Sequence, residues 1–286
     1  MNPVDVREVP VTEVASAVRR LCVSANYNVP REAIAALERA LETEESPVGR
    51  EILKQILENH RIAREEGVAA CQDTGVAMVF VELGQDVHLA GGDLYEAINE
   101  GVRQGYKEGY LRKSLVADPL FKRVNTGDNT PAMIYIDIVP GDDLKITVAP
   151  KGGGAENMSA LAMLTPAAGV EGVKSFVTEQ VKKAGPNPCP PIVVGVGIGG
   201  TFDRVAVLAK RALLRPVGSR NPHPMYADLE KELLGEINKL GIGPQGFGGR
   251  TTALAVNIEF APCHIACMPV AVNLNCHVGP HESAVI

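Results

Sequence analysis

Apolar positions recur every three to four residues through the opening third of the chain. Val14, Val18 and Leu21 share one helical face, as do Ile34, Leu37 and Leu41, and Ser46 followed by Pro47 forms a cap and first-turn proline ahead of Ile52 and Ile56. This spacing predicts three amphipathic helices over residues 1–66. The texture changes after Cys71. Residues 76–83 (VAMVFVEL) are a continuous apolar run, and Leu94, Ile98 and Val102 return to helical spacing.

A period of two follows. Met133, Tyr135, Asp137 and Val139 alternate with Ile134, Ile136 and Ile138, then Pro140-Gly141-Asp142-Asp143 leads into Leu144, Ile146 and Val148, which reads as a hairpin. Val173, Phe176, Val177 and Val181 define a helix ending at Gly185, and Ile192 to Val196 a buried strand. Helices around 203–214 and 226–239 and strands at 252–259 and 265–272 complete the pattern. The expectation is an α+β fold, a helical N-terminal part packed on a mixed α/β core with short strands and a hairpin. We treat 1–286 as one functional domain, with 1–66 mostly helical and 67–286 carrying the chemistry.

Composition narrows the choice. The 286 residues are 45% hydrophobic and 22% charged, the range of ordinary globular proteins. A net charge of -6 without a basic stripe disfavours nucleic acid, whose binding needs clustered Lys and Arg. Apolar stretches break well short of the ~20 residues that span a bilayer, so no membrane association is expected. The start, MNPVDVREVP, lacks the basic-then-apolar plan of a secretory signal, which points to the cytoplasm. There, six cysteines are poor candidates for disulfides.

Cys22, Cys263 and Cys267 sit in apolar or mixed runs, where a packed thiol is the simplest reading. The other three sit in loops. Cys71 opens Cys71-Gln72-Asp73-Thr74-Gly75, a turn that gathers thiol, amide, carboxylate and hydroxyl, although Asp73 could equally serve only to cap backbone amides. Cys189 lies in Pro186-Asn187-Pro188-Cys189-Pro190-Pro191, stiffened by fixed φ, and Cys276 in Asn273-Leu274-Asn275-Cys276-His277. Three thiols in polar loops could converge on one soft metal centre, although no close Cys pair supports this by spacing alone. Cys263, His264, Cys267, Cys276 and His277 form a rival zinc constellation, but an extended Cys263 and Cys267 would stand four rises of ~3.3 Å apart.

Two glycine-rich segments also carry possible chemistry. Gly195 to Gly200 matches G-x-G-x-x-G between strand and helix, yet the acidic residue expected ~20 positions later is replaced by Arg215-Pro216-Val217-Gly218-Ser219-Arg220. A tight turn without nucleotide is the better reading. Lys151-Gly152-Gly153-Gly154-Ala155-Glu156-Asn157 precedes a helix and would suit a carboxylate, or be a flexible loop.

Taken in order, Cys71 to Gly75, Asn125-Thr126-Gly127-Asp128-Asn129, Lys151 to Gly154, Cys189-Pro190-Pro191, GVGIGGTFDR from Gly195 to Arg204, and Asn275-Cys276-His277 resemble the class I fumarate hydratase family, with the tartrate dehydratase α-subunit as close kin. The likeness runs from about residue 70 to the C-terminus. It implies a [4Fe-4S] cluster held by Cys71, Cys189 and Cys276, with a fourth iron left open as a Lewis acid. It further implies substrate contacts from Gln72, Asp73, Arg112 and Gly153, and catalytic roles for Asp73 and His264. Arg112 would grip a carboxylate in bidentate fashion.

Single-chain members of that family continue into a second domain that supplies further substrate residues. This sequence stops short of it and resembles the α chain of the two-subunit form, which implies a β subunit and an α2β2 assembly. The activity so implied is that of a hydro-lyase of the tricarboxylic acid cycle, hydrating fumarate to malate. Tartrate dehydration is the alternative substrate reading, and an iron–sulfur electron-transfer or sensor module the alternative class. A nicotinamide-dependent enzyme would rest on one glycine motif.

Overall fold

A computed structural model describes residues 6–286. Met1–Asp5, on which the reading of the N-terminus partly rests, lie outside the described residues. The first half runs β1 (Arg7–Pro10), α1 (Val11–Tyr27), α2 (Arg31–Thr43), α3 (Pro47–Glu66), β2 (Val76–Gly84), β3 (Val87–Ala90), α4 (Leu94–Glu108), β4 (Met133–Val139) and β5 (Leu144–Lys151). The second continues α5 (Gly153–Glu156), β6 (Ala160–Leu164), α6 (Gly169–Ala184), β7 (Ile192–Gly199), α7 (Phe202–Ala212), α8 (Pro224–Asn238), β8 (Ala253–Ala261), β9 (Met268–Asn275) and β10 (Glu282–Val285). The fold is α+β.

The chain forms two compact units. The first takes residues up to Val29, His60–Gly152 and Pro280–Ile286; the second takes Pro30–Asn59 and Gly153–Gly279. In the first, a sheet ordered β10-β5-β2-β4 carries α1 and α4 on one face. Val14, Val18 and Leu21 of α1 and Ile98, Val102 and Tyr106 of α4 pack against Val79, Val81, Ile146 and Val148. Each fully buried side chain of this kind contributes about 1.5–3 kcal/mol. The helix starts follow the expected chemistry: Asp93 Oδ1 accepts from the Glu96 amide at 2.9 Å at the head of α4, and Ser46 Oγ accepts from the Gly49 amide at 3.1 Å at the head of α3.

The expected hairpin does not form. β4 and β5 are joined by the Pro140–Asp143 turn, but β2 lies between them, parallel to β4 and antiparallel to β5. The physical reason is burial. Residues 77–81 of β2 are all buried, so this run satisfies its backbone best with a partner on both edges, and alternation within 133–148 announces strands without naming their neighbours. The turn instead crosses the end of β2, where the Gly84 amide donates to Asp143 O at 2.8 Å and the Gln85 amide to Val139 O at 2.8 Å. β9 is also not the last strand, because β10 adds to the free edge of β5.

The second unit holds a sheet ordered β6-β9-β7-β8, with β8 parallel and β9 antiparallel to β7. α6 and α8 bury Val173, Val177, Val181, Leu233 and Ile237 against Val194, Val196, Ile258 and Val272. α7 covers the sheet through residues that lack side chains. A Cβ on Gly195 would stand 2.2 Å from Ala209 O, and one on Gly197 2.2 Å from Val205 O, so the G-x-G-x-x-G segment serves close helix-on-strand packing. Arg215, where a dinucleotide fold would place its acidic residue, is paired with Glu230 at 2.5 Å.

Candidate functional site

The Cys71–Gly75 turn belongs to the first unit and is tied down from several directions. Cys71 is half-buried; its Sγ accepts from the Asp73 amide at 3.4 Å and stands 3.5 Å from Gln72 Oε1. Asp73 Oδ1 accepts from the Gly75 amide at 3.1 Å, which is the capped-turn role. Gly75 takes a φ of 69°, and a Cβ there would come within 2.5 Å of the Lys151 backbone. Only glycine fits both constraints.

Arg112 is brought to this turn by its own main chain. Thr74 Oγ1 donates to Arg112 O at 3.0 Å, and the buried Tyr106 hydroxyl donates to Thr74 O at 2.8 Å and Gly75 O at 3.1 Å. Asn129, fully buried, donates from Nδ2 to Gly75 O at 3.2 Å and accepts from the Ser114 amide at 2.8 Å. The Arg112 side chain itself is exposed. Thiol, amide and carboxylate thus share one small region of one unit with the main chain of Arg112, and Gly152 adjoins it, since a Cβ there would lie 3.3 Å from Asp73 Oδ2.

In the second unit the sheet register brings two cysteines to one end. Val193 of β7 pairs with Asn275 of β9, so Cys189, just before β7, and Cys276, just after β9, leave the same end of adjacent antiparallel strands. Cys189 is exposed and Cys276 half-buried. Cys189 adopts φ 56°, a region costly for a residue with a Cβ. The segment is buttressed by Gln245, whose amide and Nε2 both donate to Pro190 O, at 2.8 and 3.0 Å.

Gly153 opens α5, which is a single turn, too short for the dipole of a full helix. The loop is instead pinned through Glu156, which accepts from Lys210 Nζ at 2.6 Å and from Asn273 Nδ2 at 2.7 Å. His264 is exposed, in the loop after β8; its Nδ1 accepts from the Ala266 amide at 3.1 Å. The eight residues of β9, at ~3.3 Å per residue, separate the 262–267 loop from Cys276 and His277. The zinc constellation therefore does not assemble, and within this unit His264 does not stand beside Cys276.

Taken one by one, the three loop cysteines have the chemistry of soft-metal ligands. Cys71, Cys189 and Cys276 are loop thiols with at least partial exposure, whereas Cys22 is fully enclosed and burial pushes its thiol up to about 12, which suits it to packing only. No disulfide occurs among the described residues. Within either unit, no three His, Cys, Asp or Glu side chains among the described residues form a group able to hold a single ion. A cleft of the second unit, ≈ 780 Å³, is lined by Arg39, Thr43, Ser46, Asn238, Lys239 and Arg250 among others and includes none of these candidates.

Tyr106, Asn129, Gln245 and the Glu156–Lys210 pair escaped the sequence reading. Asn129 was visible only as the last member of an unexplained motif, and nothing local marks Tyr106 as more than a core aromatic. No helix among the described residues is long and apolar enough to cross a membrane.

The first unit thus presents a turn with thiol, amide and carboxylate, and the second unit places a cysteine beside each of two neighbouring strand ends. The sequence matches the fumarate hydratase (fumerase) family over residues 15–285, and the chain belongs to that family of hydro-lyases. Among its relatives, a Methanocaldococcus jannaschii protein provisionally named L(+)-tartrate dehydratase subunit alpha is 45% identical over 269 residues, 92% of this chain and 94% of the relative. The L(+)-tartrate dehydratase subunit alpha of Escherichia coli K12 and that of Shigella sonnei are each 36% identical over 270 residues, 93% of this chain and 88% of theirs.

Proposed function

We propose that this chain is the cluster-binding α subunit of a hydro-lyase that reversibly hydrates fumarate to malate, working in the cytoplasm with a β subunit, in an α2β2 assembly. The observation that carries the proposal is the tying of Arg112 to the Cys71–Gly75 turn by Thr74 and Asn129. An arginine whose main chain is anchored to a turn bearing a thiol and a carboxylate is a means of holding a small organic acid at a metal ligand.

In this reading Cys71, Cys189 and Cys276 hold a [4Fe-4S] cluster as thiolates. When bound, the cluster supplies an iron without a protein ligand, a Lewis acid toward an organic hydroxyl or carboxylate. Arg112 grips one substrate carboxylate, and Gln72 and the Gly153 amide orient the other. Asp73 is the group of this chain placed to hold or pass a proton. Because β9 separates His264 from Cys276, a catalytic His264 would serve a site other than the one its own Cys276 joins.

Tartrate is the second reading, favoured by the names of the relatives at 36–45% identity. The two substrates differ in hydroxylation, and anaerobic co-expression with the β subunit followed by assays on fumarate, malate and tartrate discriminates them. Activity confined to the pair supports the proposal. Cys71→Ser should abolish cluster absorbance and turnover together, while Cys22→Ser should preserve both; turnover that survives Cys71→Ser refutes the ligand assignment. An electron-transfer module would instead show reversible cluster reduction and no hydration of any of the three acids.

A further inference from the structure

The segment after α4 has no regular partner, yet its main chain is bound at four successive residues. Arg112 O accepts from Thr74 Oγ1 at 3.0 Å, Lys113 O from Asn125 Nδ2 at 2.9 Å, and Leu115 O from the Thr126 amide at 2.9 Å. The Ser114 amide donates to Asn129 Oδ1 at 2.8 Å. Asn125–Asn129 is therefore a rail along which residues 113–115 lie.

Asn129 differs from the rest of the rail because it reaches a third segment. Its Nδ2 donates to Gly75 O at 3.2 Å, 54 residues away, and the side chain is completely buried. It also holds φ 64°, a region that asparagine tolerates better than most residues. Both ends of its amide are used, one for each segment, so no other side chain of this size and polarity reproduces the bridge. An aspartate lacks the donor, and a leucine lacks both.

We propose that Asn129 is the positioning residue that sets Arg112 against the Cys71–Gly75 turn and so fixes the spacing between the carboxylate-gripping guanidinium and the thiol. The proposal rests on the functional reading above for the role of Arg112. Asn129 touches neither substrate nor cluster in this account. It acts through the Ser114 amide, two residues beyond Arg112, and through the Gly75 carbonyl that closes the turn.

The test uses the α chain paired with its β subunit, and Asn129→Gly as the main variant, because glycine accepts φ 64° and removes only the side-chain bridge. Asn129→Gly should raise KM for the dicarboxylate about tenfold with a smaller change in kcat, and should add less than about twofold in an Arg112→Ala background. Equal effects in both backgrounds, or no effect where Arg112→Ala alone raises KM, would overturn the inference. Asn129→Asp keeps the acceptor for Ser114 and serves if the glycine variant folds poorly; it should show the same loss of effect on the Arg112→Ala background.

A readout independent of turnover separates this inference from the functional reading. In the iron-free full chain, Asn129→Gly should speed iodoacetamide labelling of Cys71 about threefold or more while Cys189 keeps its rate. An unchanged Cys71 rate sinks the bridge whatever the activity. A faster Cys71 with no hydro-lyase activity in the wild-type pair upholds the bridge and removes the proposed reaction.

Discussion

Two cysteine-bearing turns in this molecule meet the same requirement by opposite means. The turn at Cys71 is short and glycine-ended, and is held by bonds to remote segments: its own Thr74 to the Arg112 carbonyl, Tyr106 from α4, and Asn129 from the loop before β4. The turn at Cys189 is stiffened from within by prolines and strained at Cys189 itself, with outside support from Gln245. The first depends on tertiary bonds and is sensitive to changes far away in sequence. The second carries most of its geometry in its own residues, so distant substitutions should matter less.

That contrast can be broken most forcefully at Gly75. Gly75→Ala places a Cβ within 2.5 Å of the Lys151 backbone at φ 69°, and the combined strain should cost on the order of 3–4 kcal/mol in urea unfolding. A loss under 1 kcal/mol would show that the turn moves freely.

Acid should separate the two units next. Burial lowers His60 to about 4, so its neutral form is favoured by folding. The stability it contributes is complete above pH ~6.5, is lost progressively as the pH falls toward about 4, and amounts to about 3 kcal/mol. Glu44 of the second unit behaves differently: burial alone would raise it, but the amides of Arg250, Ser46, Thr251 and Glu45 hold it below the usual carboxylate range. Its contribution is present above the ordinary glutamate value and lost only below it. Hydrogen exchange at pH 7, 5 and 3.5 should therefore show the C-terminal end of α3 opening before the 249–251 loop, and simultaneous opening would contradict this order.

The side chains themselves offer the sharpest paired comparison. Tyr106→Phe removes a buried donor to two carbonyls and should cost about 2 kcal/mol. Gln245→Ala removes one half-buried bond to Pro190 O while the backbone bond persists, at about 0.5–1 kcal/mol. Equal losses at the two positions, measured by chemical denaturation, would erase the distinction between an externally and an internally braced turn.

Much of the architecture was legible along the chain. The three N-terminal helices, the helix after Asp93, α6 with its stop at Gly185, and β7 follow from spacing and caps that act over a few residues. The turn at 71–75 was visible because Cys, Asp, Thr and Gly adjoin in sequence. The intervening position of β2 was not, since a strand's partners depend on which edges are left to bury. The same limit hid Asn129 and Tyr106, whose bonds span 54 and 32 residues, and it allowed a zinc reading of residues that β9 holds apart.

The sequence by itself determined which segments are helix or strand, which loops carry thiols, and which family the order of motifs resembles, because these rest on local stereochemistry and on residue identity. The tertiary structure alone decided that β2 separates β4 from β5, that Cys189 and Cys276 emerge at one end of a sheet, and that Arg112 is fastened to the Cys71 turn. Those outcomes depend on satisfying buried amides and carbonyls across long stretches of chain, a condition that no short window of residues contains.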